Sequence, residues 1–168
     1  ARSEQALDAD RAIDFVSIVT PNNLHFAVAK SFAESGVHVI CDKPMAVSLA
    51  EARELVRIVD DTGIVFALTH NYTGYPMVKQ ARHMVKAGEV GELLKVVVEY
   101  PQGWFLKAVA NNTPKKTGWR TDPAQAGPAN CIGDIGTHCE NLVHYVTGAS
   151  MTEVCADVMS LGDQPLDN

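Results

Sequence analysis

Long apolar runs are missing from this chain of 168 residues. Its apolar stretches are short, as in Ile64-Val65-Phe66-Ala67-Leu68, whereas a membrane-spanning helix needs about 20 mostly apolar residues. A basic excess is missing too. Lys plus Arg number 14 against 20 Asp plus Glu, a net charge of −6, which argues against nucleic acid or an anionic membrane as partner. Cysteine is sparse. Cys41, Cys131, Cys139 and Cys155 form no CxxC pair, so neither a disulfide framework nor a zinc ribbon is expected. No basic-then-apolar leader follows Ala1, and reduced thiols in a cytoplasmic setting are the plain expectation.

Two catalytic signatures are also absent. No two of the 12 glycines stand two positions apart, so the phosphate-cradling G-x-G-x-x-G cannot be present. There is no G-x-S-x-G elbow of a serine hydrolase either. What remains is an ordinary globular balance, 46% hydrophobic and 20% charged, which excludes a disordered or collagen-like chain.

The first ninety residues alternate strand and helix signals. Ile13–Thr20, Val37–Cys41 and Ile64–Thr69 read as strands, being short, apolar and rich in β-branched residues. Between them helices are predicted over Leu24–Glu34, with Asn22 or Asn23 as cap, and from Ser48 to about Asp60. Ser48-Leu49-Ala50-Glu51 matches a capping box, and Gly36 and Gly63 stand where helices end. A further helix is expected over Pro76–Ala87. This order implies right-handed βαβ units and a parallel sheet covered on both faces. A parallel sheet without its glycine motif is either not a dinucleotide fold or the second half of one.

The pattern then changes. Leu93–Tyr100 and Val154–Leu161 read as strands, Asp134–Thr147 as a helix closed by Gly148, and Asn111-Asn112-Thr113-Pro114-Lys115-Lys116 as an exposed connection. The predicted organisation is residues 1–90 as one domain and 91–168 as the start of a second, incomplete one.

Three clusters carry chemistry. Cys41-Asp42-Lys43-Pro44 ends a buried strand, at the sheet edge where ligands sit in open α/β folds, and Pro44 biases Lys43 toward extended backbone. The plain alternative is a surface lysine in a loop. Thr20-Pro21-Asn22-Asn23-Leu24-His25 brings hydroxyl, amides and imidazole to a helix N-terminus, which suits polar or anionic ligands. Its alternative is an ordinary cap. In Gly133-Asp134-Ile135-Gly136-Thr137-His138 a carboxylate and an imidazole four apart share a helix face, a usable acid–base pair; an N-cap with a nearby histidine is the alternative. Cys131, His138, Cys139 and His144 lack zinc-finger spacing, and no metal is expected.

Taken together, Thr20–His25, Asp42-Lys43-Pro44, Trp119-Arg120 and Gly133–His138 resemble, in order and spacing, the Gfo/Idh/MocA oxidoreductases, relatives of glucose–fructose oxidoreductase and inositol dehydrogenase. The resemblance runs from about residue 13 to 160. It implies the C-terminal half of a Rossmann-like parallel sheet, followed by the start of an α/β domain with a mostly antiparallel sheet. It places the glycine motif upstream of Ala1.

The family's catalytic lysine falls on Lys43, with Asp42 in place of the usual Glu, and its Asp and His fall on Asp134 and His138. The resemblance implies NAD or NADP as cofactor. It brings Thr20, Pro21, Asn22, His25, Asp42, Lys43, Pro44, Asn71, Trp119 and Arg120 to that cofactor, and Lys43, Tyr72, Asp134 and His138 to the substrate. Thr73 stands where relatives often carry Arg, and Ala126–Asn130 where many have a glycine run.

The implied reaction moves a hydride between the nicotinamide and a secondary alcohol of a sugar, polyol or inositol-like substrate, with Lys43 and His138 handling the hydroxyl proton. An NAD-dependent glycosidase and a non-catalytic ligand sensor are the alternatives within the family. A homo-oligomer, dimer or tetramer, is expected by analogy. The 168-residue piece alone is expected to be inactive and, through its incomplete sheet, prone to association.

Overall fold

The computed structural model describes residues 10–101, 103 and 114–160. Residues 111–113 of the expected connection, and Leu161, lie outside them. By contacts the chain forms two compact units. The first takes the described residues up to Thr69 together with Asp122–Pro128, and the second takes the described remainder.

The first unit is a three-stranded parallel sheet, β1 (Phe15–Ile18), β2 (His38–Asp42) and β3 (Phe66–Thr69), with β2 central. Ile18 pairs with Cys41, and Cys41 with Leu68. Helix α1 (Asn22–Ala33) joins β1 to β2, and α2 (Leu49–Thr62) joins β2 to β3. The sequence-based elements are present here, with shorter strands than the apolar runs. Ladder pairing, rather than apolarity, ends a strand.

The core is Ile18, Ala29, Ala33, Val39, Cys41, Leu55, Ile58 and Ile64. Ala29 and Ala33 stand four apart on one face of α1, and both are completely buried. At the start of α2, Ser48 Oγ accepts the Glu51 N–H, and Glu51 Oε2 accepts the N–H of Val47, each at 3.3 Å. The glutamate thus reaches one residue beyond the partner expected in a capping box. Gly63 ends α2 in the left-handed conformation, at φ 67°, which costs glycine nothing.

A short helix, α4 (Pro123–Ala126), belongs to this unit although it lies far on in the chain. Asp122 caps it, accepting from the Ala124 N–H at 3.0 Å and the Gln125 side-chain amide at 2.6 Å. Those two bonds, the Gln125 one first, hold the Asp122 carboxyl below the usual range. Gly127 follows at φ 103°, and a Cβ there would meet Val47 at 3.3 Å. The backbone conformation favours glycine at that position, and a side chain there would also press on Val47.

The second unit starts with a 3₁₀ turn, Asn71–Gly74, and α3 (Pro76–Lys86). Helix α3 packs on α5 (Thr137–Thr147), with the Arg82 guanidinium 4.4 Å from the centre of the Tyr145 ring. The sequence reading ended the first domain at residue 90; by contacts α3 packs with α5 in the second unit. Immediately before α5 runs a π-helical turn, Ile132–Gly136. The helix expected from Asp134 is therefore wider-wound at its start.

The strands expected at Leu93–Tyr100 and Val154–Leu161 are not formed among the described residues, and neither is an antiparallel sheet. Alternation marks residues suited to a sheet, but a strand needs a partner ladder. Here Leu94 is 88% and Val154 74% exposed. Val96, Val98 and Met151 instead line a cavity of about 410 Å³ against Cys139 and Val143 of α5. No helix among the described residues is long and apolar enough to cross a membrane.

Candidate functional site

The residues singled out by sequence fall into two sets, one in each unit. In the first unit they follow the C-terminal ends of β1 and β2, the edge of a parallel sheet where ligands are received. Thr20 and Pro21 leave β1 and enter α1, whose start no side chain caps. Asn22 is not the expected cap. Its side-chain amide donates to the Ala126 carbonyl at 2.8 Å, tying α1 to α4. The Thr20 hydroxyl oxygen is buried and has no hydrogen-bond partner among the described residues.

His25 stands one turn into α1 and is 1% exposed. Its Nδ1 lies 2.7 Å from the Pro44 carbonyl oxygen and its Nε2 2.9 Å from that of Thr20. Both ring nitrogens, expected on the cofactor side, are therefore turned to backbone. Asp42 ends β2 opposite Thr69 of β3, and its Oδ1 accepts the Thr69 hydroxyl. Lys43 and Pro44 follow, half-buried, joined by a cis peptide. Beneath them Cys41 is fully buried. Loss of water, and then the charge of Asp42, push its thiol up to about 12, so it stays protonated and unreactive.

In the second unit the set centres on His138, which is 6% exposed in the first turn of α5. The Tyr72 ring lies 4.5 Å from it and the His70 ring 5.6 Å, edge on. Asp134 precedes it by four residues, within the π-helical turn. Such single-turn π segments recur at functional sites, and Gly133 and Gly136 are the sequence signal that fits one here. Tyr72 and Tyr100 share a hydrogen bond of 2.6 Å between their phenol oxygens. That bond first, then burial and neighbouring negative charge including Asp134, push Tyr72 up to about 12.

Asn71 is exposed. Thr73 donates to the His70 carbonyl at 2.8 Å and so serves the turn. Trp119 carries the Arg120 guanidinium 4.7 Å above its ring, a cation–π pair. Sequence reasoning did not single out Tyr100 or Thr69. Each reaches the site through a contact distant in sequence, and neither has a local motif to announce it.

A parallel sheet with polar loops at its C-terminal edge, a helix start that no side chain caps and a buried hydroxyl with no partner among the described residues is the kind of edge that receives ligands in open α/β folds. Known proteins agree. Residues 1–70 match the oxidoreductase family model for an NAD-binding Rossmann fold, and residues 78–167 match the GFO/IDH/MocA C-terminal domain. The chain belongs to the GFO/IDH/MocA oxidoreductase family.

Levoglucosan dehydrogenase of Pseudarthrobacter phenanthrenivorans is 34% identical over 139 residues, covering 83% of this chain and 34% of that protein. An inositol dehydrogenase homolog complexed with NAD+ from Azotobacter vinelandii superposes with a TM-score of 0.79 at 36% identity, over 88% of this chain and 37% of that one. A levoglucosan dehydrogenase in complex with NADH and levoglucosan gives a TM-score of 0.76 at 35% identity, over 88% and 37%. The chain thus spans about a third of the length of the curated relatives it matches.

Proposed function

We propose that this chain is part of an NAD(P)-dependent dehydrogenase that oxidises a secondary alcohol of a sugar, polyol or inositol-like substrate. The observation that carries the reading is Lys43, set directly after the central strand with its neighbours on both sides held by side chains of other elements. The solved relatives with NAD+, NADH and levoglucosan support the cofactor and substrate classes.

The nicotinamide, when bound, supplies the hydride acceptor. The residues that would border it are Thr20, Pro21, Asn22, Asp42 and Pro44 of the first unit and Asn71, Trp119 and Arg120 of the second. The orphaned Thr20 hydroxyl and the open α1 start fit such a ligand.

Lys43 donates a hydrogen bond from Nζ to the substrate hydroxyl and stabilises alkoxide character as it develops. The His138 imidazole accepts the proton, a role to which a neutral ring nitrogen is suited. Asp134 orients the imidazole or the substrate, and Tyr72 offers a ring face to the substrate. We read the whole protein as a cytoplasmic homo-oligomer, dimer or tetramer, which the family resemblance supports and sedimentation would check.

The test is Lys43→Met in the full-length protein, assayed for NADH formation across a polyol and sugar panel. Turnover falls on the order of 10²–10⁴-fold while NAD binding persists. Unchanged turnover removes Lys43 from the reaction.

A further inference from the structure

We infer that His25 is a positioning residue for Lys43, acting through the Pro44 carbonyl rather than by touching cofactor or substrate; this deepens the dehydrogenase reading and rests on it.

The geometry is specific. His25 belongs to α1, the crossover between β1 and β2, yet its ring spans the loops that follow both strands. Each ring nitrogen faces a main-chain oxygen, Thr20 on one side and Pro44 on the other. The ring is 1% exposed, so water does not reach its nitrogens, and a donor lost there is not readily replaced. A cofactor contact would need an exposed ring nitrogen, and both face main-chain oxygens.

Lys43 stands immediately before the residue that His25 holds. Pro44 has no N–H, so its carbonyl is the backbone group through which this point of the loop can be held. On the other flank Asp42 is held by the Thr69 hydroxyl. The peptide that launches the lysine is therefore fixed from α1 on one side and from β3 on the other. An amine that must meet a developing alkoxide depends on such fixing, because a displacement of about 1 Å can cost on the order of 10²-fold in rate. Ordinary packing would ask only that the space be filled. A neutral imidazole carries one N–H, and directed to the Pro44 oxygen, the shorter contact at 2.7 Å, it asks for more.

The distinguishing experiment is a double-mutant cycle in the full-length protein, read as kcat and KM separately. His25→Phe fills the site without hydrogen bonds, and His25→Gln keeps one donor. His25→Phe lowers kcat on the order of 10²-fold while the KM for the dinucleotide is unchanged, and His25→Gln recovers part of the loss. In the Lys43→Met background His25→Phe costs little more, since its effect passes through that lysine. A raised dinucleotide KM with intact kcat overturns the proposal in favour of a cofactor contact. An equal loss in both backgrounds overturns it in favour of a packing role. If His25→Phe does not fold, the same cycle with His25→Gln decides. Full activity of Lys43→Met alone defeats the underlying dehydrogenase reading and the proposal with it, whereas a slow Lys43→Met beside an unaffected His25 variant defeats the proposal alone.

Discussion

The phenol oxygens of Tyr72 and Tyr100 lie 2.6 Å apart, and the Tyr72 ring also lies 4.5 Å from that of His138. One tyrosine therefore links the candidate base to a residue 28 positions further along the chain. Its proton is held mainly by the bond to Tyr100, which raises the phenol from 10.0 to about 12. A group whose folded value is raised stabilises fully below its unfolded value and loses that contribution as pH rises through the folded one. The contribution is thus intact below about pH 10 and lost toward 12. Tyr100→Phe brings the Tyr72 titration back toward 10 in an ultraviolet absorbance titration. An unmoved titration would show that the hydrogen bond is not the cause.

Cys41 offers a contrast in reactivity. Its side chain is fully buried and its thiol raised from 9.0 to about 12, while Cys155 is exposed. A disulfide reagent at neutral pH modifies Cys155 rapidly and Cys41 only after denaturant is added, as peptide mass mapping of the labelled protein will register. By the same sign rule, the stability that comes from keeping this thiol protonated is complete below about pH 9 and fades toward 12.

Asn22 holds two stretches of chain together that are 104 residues apart. Asn22→Ala removes the donor and leaves the Ala126 carbonyl without it, at a cost of about 1–3 kcal/mol. Asn23, its exposed neighbour, is the control, and Asn23→Ala should stay within about 0.5 kcal/mol. Chemical denaturation of the two variants makes the comparison, and equal midpoints would sink the assignment.

Ser48→Ala removes the acceptor for the Glu51 N–H at the head of α2. Loss of such a cap costs about 0.5–2 kcal/mol. Ser48→Asp, which keeps an acceptor and adds charge favourable to a helix N-terminus, should hold the melting temperature near wild type in calorimetry.

These residues also mark how far a sequence speaks for its structure. Ser48, Gly63 and Gly148 act within a few positions of themselves, and each stands where its local rule places it, while Glu51 reaches one residue past its predicted partner. The three parallel strands were legible because they are short apolar runs rich in β-branched residues and bounded by turn and cap signals, although several of their residues are exposed. Asn22 misled because the same amide that can cap a helix can also bond a distant carbonyl. Only the fold decides between them. The alternating segment at Leu93–Tyr100 had the composition of a strand and finds no ladder partner among the described residues. Among the candidate residues, Lys43, Asp134 and His138 were visible as motifs. Tyr100 and Thr69 were not, because their meaning comes wholly from Tyr72 and Asp42.

The placement of α4 and Gly127 in the first unit has a practical consequence for anyone shuffling relatives of this protein. A chimera spliced once, after Thr69, would graft foreign residues beneath Val47 and opposite Asn22. Exchange of that module as a cassette demands paired crossovers, the second flanking Asp122–Pro128, and libraries built on a single breakpoint should be enriched in misfolded hybrids.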